Sequence, residues 1–274
     1  MLLFRMATQS MTFFAPLDHP LQLIILVLVG MFMGIANVLA GGGSLVSLPL
    51  LIFMGLDSAS ANGTNRLAIV IQNIVATFGF KAKGIGNFKF DLWLIIPALP
   101  GVFLGAYTAA SLDDAVFRKV LSVLMVVILA LILYKIRPDG KVTATEEAVT
   151  KRQKWLLAIG FIGIGFYAGF IQAGVGFFVI ALMTWCSPLD LVRINAHKVL
   201  IIGIFMILSL VTFASLGRVI WPVAMVLAAG NAVGGWLGAQ IAVAGGEKWI
   251  RRALIVAVLG MALKLSGIIG FIFS

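Results

Sequence analysis

The run Ala40-Gly41-Gly42-Gly43-Ser44 places three glycines between two apolar stretches. Glycine there lets the backbone take positive φ and approach a ligand closely. Ser44 can cap a helix that follows. Free N–H groups at a helix start, at the positive end of its dipole, suit an anion. Ala173-Gly174-Val175-Gly176-Phe177 repeats the arrangement, and Asn37 and Gln172 stand just before the two breaks. A third candidate is Asn62-Gly63-Thr64-Asn65-Arg66, answered by Asn195-Ala196-His197-Lys198. Asn62 or Thr64 can cap a helix, and amide side chains can donate to an oxyanion. The chemistry on offer is anion binding by backbone N–H, amide and hydroxyl groups. A plainer reading is open too: tight packing turns of small residues and ordinary helix caps. Arg66 and Lys198 read first as interfacial anchors. His197 can titrate, but a lone histidine is more often structural. Gln72, Asn73, Asn231 and Gln240 lie inside apolar stretches, where such groups bind substrate or tie helices together.

Catalytic patterns are missing. The chain has no P-loop, no G-x-S-x-G and no paired carboxylates. Its single cysteine, Cys186, offers neither an intrachain disulfide nor a metal cluster. Neither histidine stands in a metal-ligand pattern. We therefore expect no catalytic residue, no metal and no cofactor, and a protein that is not an enzyme.

The elements that must position these residues follow from composition. Hydrophobic residues make up 62% of the 274, and charged residues 11%. Soluble domains run near 45–50% and about 25%. A water-soluble fold could not hide so much apolar surface. The apolar runs are about 20 residues long without period-2 alternation, which predicts membrane-spanning helices rather than a barrel. The first series is 21–40, 44–54, 64–80, 91–110 and 117–134. A charged linker, 135–154, follows. The second series is 155–173, 177–187, 197–216, 219–243 and 250–273. The short pieces 44–54 and 177–187 fit half-helices or re-entrant segments better than full spans. Val38 and Ala40 resemble a signal-cleavage pattern, but a matching segment in the second half argues that the first span is retained.

The two halves align without gaps at an offset of 133 residues, Gly30 falling on Gly163 and Gly43 on Gly176. The register also carries Leu56-Asp57 onto Leu189-Asp190, Asn62 onto Asn195 and Arg118-Lys119 onto Arg251-Arg252. Lys135, Arg137, Lys141, Lys151, Arg152 and Lys154 place the linker in the cytoplasm. Counting back puts Lys81, Lys83 and Lys89 on the same side. Counting forward keeps most basic residues inside only if 155–187 forms a hairpin. Each half is then a hairpin plus three crossings, an odd number, so the repeats are inverted, as in many secondary transporters. The net charge of +10 thus reads as topology rather than nucleic-acid binding.

No Asp or Glu falls well inside an expected span, so a proton-coupling carboxylate is not evident. A cation would lack a counter-charge, and an anion fits better. An inside-negative potential favours its export by about 2.3 kcal/mol per charge per 100 mV. Sodium held by backbone carbonyls stays open.

These residues resemble the sulfite exporter TauE/SafE family, the TSUP transporters. The resemblance rests on Ala40-Gly41-Gly42-Gly43-Ser44 with Pro49, on Ala61-Asn62-Gly63-Thr64-Asn65, and on the Lys83-Gly84 loop with Asp91. Pro100-Gly101 before Leu104-Gly105 and the duplicated half complete it. It covers about residues 21–270 and implies transport of sulfur-containing anions across the bacterial inner membrane. Ala196-His197-Lys198 replaces Gly63-Thr64-Asn65 in the second half, so the site should be asymmetric.

The expectation is an all-α, polytopic membrane protein of two inverted repeats, each a broken or re-entrant hairpin plus three transmembrane helices. Its parts are an N-terminal segment 1–20, repeat 21–134, linker 135–154 and repeat 155–274. The expected substrate-binding residues are Asn37, Gly41, Gly42, Gly43, Ser44, Asn62, Gly63, Thr64, Asn65, Gln172, Gly174, Gly176, Asn195, His197 and Lys198. The expected function is export of sulfite, thiosulfate or an organosulfonate such as sulfoacetate, with import or an anion channel as alternatives. Expected partners are the small anion and membrane lipid, with a homodimer left open and no nucleic acid.

Overall fold

The computed structural model describes residues 20–133 and 145–244. Among them, nine α-helices and one 3-10 turn build the fold. α1 (Pro20–Ala40) ends where Gly41 adopts φ +77°. This left-handed turn closes the Gly41 N–H back onto the Ala36 and Asn37 carbonyls at 3.1 and 2.9 Å. α2 (Ser44–Phe53) has 10 residues, about 15 Å of helix and half a bilayer core. α3 (Ser58–Lys81) is capped by Asp57, which accepts from the Ser60 N–H. Asn87 caps α4 (Phe88–Ala110) likewise, and α5 spans Asp114–Leu133. The 3-10 turn Glu146–Ala148 precedes α6 (Lys151–Phe170), which opens on a Thr150–Gln153 capping box. α7 (Val175–Cys186), α8 (Leu191–Ser215, capped by Asp190) and α9 (Trp221–Ala244) follow.

Three boundaries correct the sequence reading. α3 begins at Ser58 rather than 64, and α8 at Leu191 rather than 197. Their polar first turns interrupt the apolar pattern, yet Asp57 and Asp190 start both helices earlier. Asn62, Thr64 and Asn195 therefore lie inside helices and are not caps. Residues 151–154 belong to α6, not to the linker. The expected span 250–273 lies outside the described residues.

Small residues set the packing. Gly30 and Gly34 of α1 meet the Leu227 and Asn231 carbonyls of α9 so closely that a Cβ at either would overlap them. Gly165 and Gly169 of α6 meet the Ala98 and Val102 carbonyls of α4 in the same way. Such seams let helices associate where no hydrophobic driving force separates them from lipid. The 133-residue offset carries α1 onto α6 and α4 onto α9. Each half's first helix thus packs against the fourth helix of the other half, and these are the two most extensive pairings. α3 joins α8 and α9 at the centre. Outside, Leu28, Phe103, Trp155, Trp185 and Trp236 are exposed. Among the described residues, five helices, α1, α4, α6, α8 and α9, are long and apolar enough to cross a membrane.

Candidate functional site

The two glycine turns meet at the middle of the bundle. A Cβ at Gly41 would overlap the Gly176 backbone, and one at Gly176 would overlap Gly41. Ser44 does not cap α2, whose N-cap Gly43 has helical φ and ψ of −58° and −36°. Instead the Asn37 Oδ1 accepts from the Ser44 N–H at 3.2 Å, and the Ser44 hydroxyl accepts from the Gly174 N–H at 3.4 Å. The N-termini of the half-helices α2 and α7 therefore converge, each bringing the positive end of a dipole.

Between them lies a cavity of about 20 Å³, walled by Asn37, Gly41, Ser44, Gln72, Asn73, Gln172, Gly176 and Lys198, with Ile69, Val175, Ile202 and Met206 as apolar sides. That is room for about one water. A sulfur oxyanion, with three or more oxygens, needs the turns to part. Asn37 donates to Gln72 Oε1 at 3.0 Å, and Gln72 to Asn73 Oδ1 at 3.3 Å. Gln172 stands apart. It is a non-glycine residue at φ 59°, it is 1% exposed, and neither atom of its amide has a hydrogen-bond partner.

Arg66 and Lys198 are not interfacial anchors, because both are fully buried. Arg66 donates to the Ala168 carbonyl at 2.9 Å and to the Gly169 carbonyl, and lies 4.6 Å over the Phe213 ring. Lys198 donates to the Asn37 and Val38 carbonyls at 3.1 and 2.6 Å and to Asn195 Oδ1 at 2.6 Å. Each cation satisfies the unpaired carbonyls ending a broken span, at the negative end of its dipole.

The remaining expected site residues stand behind the wall. Asn62 donates to the Phe170 carbonyl at 2.7 Å. Gly63 abuts the Arg218 carbonyl. The Thr64 hydroxyl accepts from the Ile220 N–H at 3.0 Å. Asn65 is buried with its Nδ2 unpartnered. Gly42, Gly43, Gly174, Asn195 and His197 do not line the cavity. Of the fifteen residues expected, the structure brings Asn37, Gly41, Ser44, Gln172, Gly176 and Lys198 to it, and it adds Gln72 and Asn73.

His197 faces the other way. Its Nδ1 lies 2.7 Å from Asp91 Oδ1 and its Nε2 lies 3.0 Å from Glu146 Oε1. Arg193 pairs with the same Glu146 oxygen at 3.2 Å. The hydrogen bond to His197 holds the Glu146 carboxyl down at about 2, although burial opposes it. Neither carboxylate lies well inside a span, as expected, yet both are buried. Asp91 enters in the first turn of α4, and Glu146 folds in from what reads as a solvated linker. The Asp91 position was legible as a helix start, but nothing near Glu146 signals its partner.

The sulfite exporter TauE/SafE family matches residues 26–265 of the chain. A probable membrane transporter protein of Haemophilus influenzae is 30% identical over 246 residues, covering 89% of this chain and 94% of its own length. The probable membrane transporter protein YfcA of Escherichia coli K12 is 28% identical over 252 residues, covering 90% of each. No solved structure matches. The polytopic helical bundle, its two broken hairpins and this match over nearly the whole length agree on a multi-pass inner-membrane transporter, and the chain belongs to the sulfite exporter TauE/SafE family.

Proposed function

We propose that the protein is a secondary transporter that exports a small sulfur-containing anion, such as sulfite, thiosulfate or sulfoacetate. The observation that carries this reading is the convergence of the α2 and α7 N-termini on a polar cavity holding Lys198 and the unpartnered Gln172 amide. Backbone N–H groups and amides would hold the oxygens, and no carboxylate stands in the cavity wall to repel them. The bound anion competes for Lys198 with the end of α1. Parting of the hairpins, one half rocking against the other in an inverted repeat, would open the cavity to each side in turn. The inside-negative potential drives an anion outward.

A thermal-shift series with sulfite, thiosulfate, sulfate, sulfoacetate and zwitterionic taurine tests the reading. A ligand that binds the native state raises its stability with concentration. Saturable stabilisation by one or more sulfur anions is expected, and no stabilisation by any of them overturns the proposal. Saturable flux with counterflow in proteoliposomes separates a carrier from a channel, which would give ohmic current.

A further inference from the structure

Asp91, His197 and Glu146 come from three separate elements, α4, α8 and the 3-10 turn, and form a buried row. A neutral imidazole has one N–H. It can donate to one carboxylate, but its other nitrogen then turns a lone pair toward the second. Contacts of 2.7 Å at Nδ1 and 3.0 Å at Nε2 are both satisfied only when the row carries one proton more. Either the ring is an imidazolium between two carboxylates, or a protonated carboxyl donates to a neutral ring. With Arg193 beside Glu146, the loaded row has no net charge. Emptied, it holds an uncompensated negative charge in buried surroundings, which is strongly disfavoured.

Among the described residues, the cleft beside Glu146 gives this proton a way in. Glu146 lines a cleft of about 590 Å³ together with Lys89, Trp93, Glu147, Lys151 and Lys154. Phe90 lines the same cleft, and its ring packs 5.0 Å from the imidazole. Of the other charged groups nearby, Asp190 shares Arg193 with Glu146, while Lys198 is engaged with the end of α1 and Arg66 with the end of α6. Asp91 Oδ2 is buried without a partner. The two carboxylates approach opposite ring nitrogens and do not converge on one point, so the row is not a metal site.

We propose that Asp91, His197 and Glu146 form a proton-binding site, loaded from the linker-side cleft, whose proton pins the 145–149 segment across α4 and α8. The site rests on the transporter reading but not on which anion is moved. Loss of the proton sets the Nε2 lone pair against the Glu146 carboxylate and releases the segment. His197 shares a helical turn with Lys198, so the same turn of α8 meets both the proton and the anion cavity.

A spin label at position 147 (Glu147→Cys in a Cys186→Ser background) reads the segment's mobility in lipid. The label should be immobile at pH 6 and mobile at pH 10. In Glu146→Gln the amide can donate to the Nε2 lone pair, so the label should stay immobile at both. In Glu146→Ala it should be mobile at both. Mobility independent of pH in the parent, or the same pH transition in Glu146→Gln, overturns the proposal. A failure of every sulfur anion to stabilise the protein would overturn the substrate reading and leave this result standing.

Discussion

Arg66 and Lys198 perform the same task from opposite halves. Arg66, on α3 of the first half, holds the carbonyl end of α6 in the second. Lys198, on α8 of the second half, holds the carbonyl end of α1 in the first. They are not equivalent in the repeat, since Asn65 is the counterpart of Lys198 and Val199 that of Arg66. The function is symmetric although the positions are not. A helix broken inside a membrane leaves carbonyls that lipid cannot satisfy, so a cation from the other half closes the gap.

Removing either cation should therefore destabilise the fold. Arg66→Ala leaves carbonyls of Ala168 and Gly169 without their donor, a loss of about 2–3 kcal/mol for bonds to a charged group. Lys198→Met should cost a similar amount and also weaken anion binding, because Lys198 lines the cavity and Arg66 does not. Melting of detergent-solubilised protein with and without thiosulfate separates the two effects. Equal loss of binding in both variants would remove Lys198 from the anion site.

Gly41 and Gly84 form a matched pair for the central turn. Both have positive φ, +77° and +70°, so alanine costs each about 1–2 kcal/mol of backbone strain. Only Gly41 has a neighbour in the way, the backbone of Gly176, whereas Gly84 has nothing within 4 Å. Gly84→Ala should lower the melting temperature slightly and leave transport unchanged. Gly41→Ala should abolish transport, since neither backbone can yield. Normal flux in Gly41→Ala would remove the close approach of the turns from the mechanism.

The half-helices were legible because Gly41 and Gly174 interrupt long apolar runs at matching positions. Asp57 and Asp190 were visible as paired residues, but their role as caps was hidden. The apolar count begins only after the polar turns that they start. Arg66 and Lys198 read as anchors because a single sequence cannot show that carbonyls from another helix wait beside a cation. Glu146 was the least legible of all. Its burial depends on a contact with His197, 51 residues away, and on an exposed-looking linker folding inward.

Glu146 also gives a signed pH dependence. Its folded carboxyl titrates at about 2, below the ordinary 4.5, chiefly through the hydrogen bond with His197. On the acid side, the stability it contributes is fully present at the ordinary value and is lost as pH falls from there toward 2. Glu146→Gln removes that titration. The stability gap between the parent and Glu146→Gln should narrow between pH 4.5 and 2 in a series of thermal melts. A constant gap would mean that the carboxylate is not held by the imidazole.

The proposal that the repeats are inverted predicts the sides of the loops. In a Cys186→Ser background, single cysteines at Ala115→Cys, in the first turn of α5, and Thr145→Cys, beyond its end, should react with an impermeant maleimide from opposite faces. Labelling from the same face would make the repeats parallel and would remove rocking about a pseudo-twofold as the transport motion.

Gln172 separates strain from binding. Its φ of 59° is one that glycine takes freely and a residue with a Cβ resists, and its buried amide makes no hydrogen bond in the closed cavity. Both are unfavourable to the resting fold, which is the pattern expected of a group kept for a ligand. Gln172→Gly relieves the backbone and removes the amide, so the empty protein should gain about 0.4–1 kcal/mol. Stabilisation by thiosulfate should shrink at the same time. Gln172→Ala keeps the strain and removes only the amide, so it should lose binding with a smaller gain in stability. Undiminished thiosulfate stabilisation in both variants would show that the amide faces no anion, and that the left-handed turn serves only the approach of α7 to Gly41.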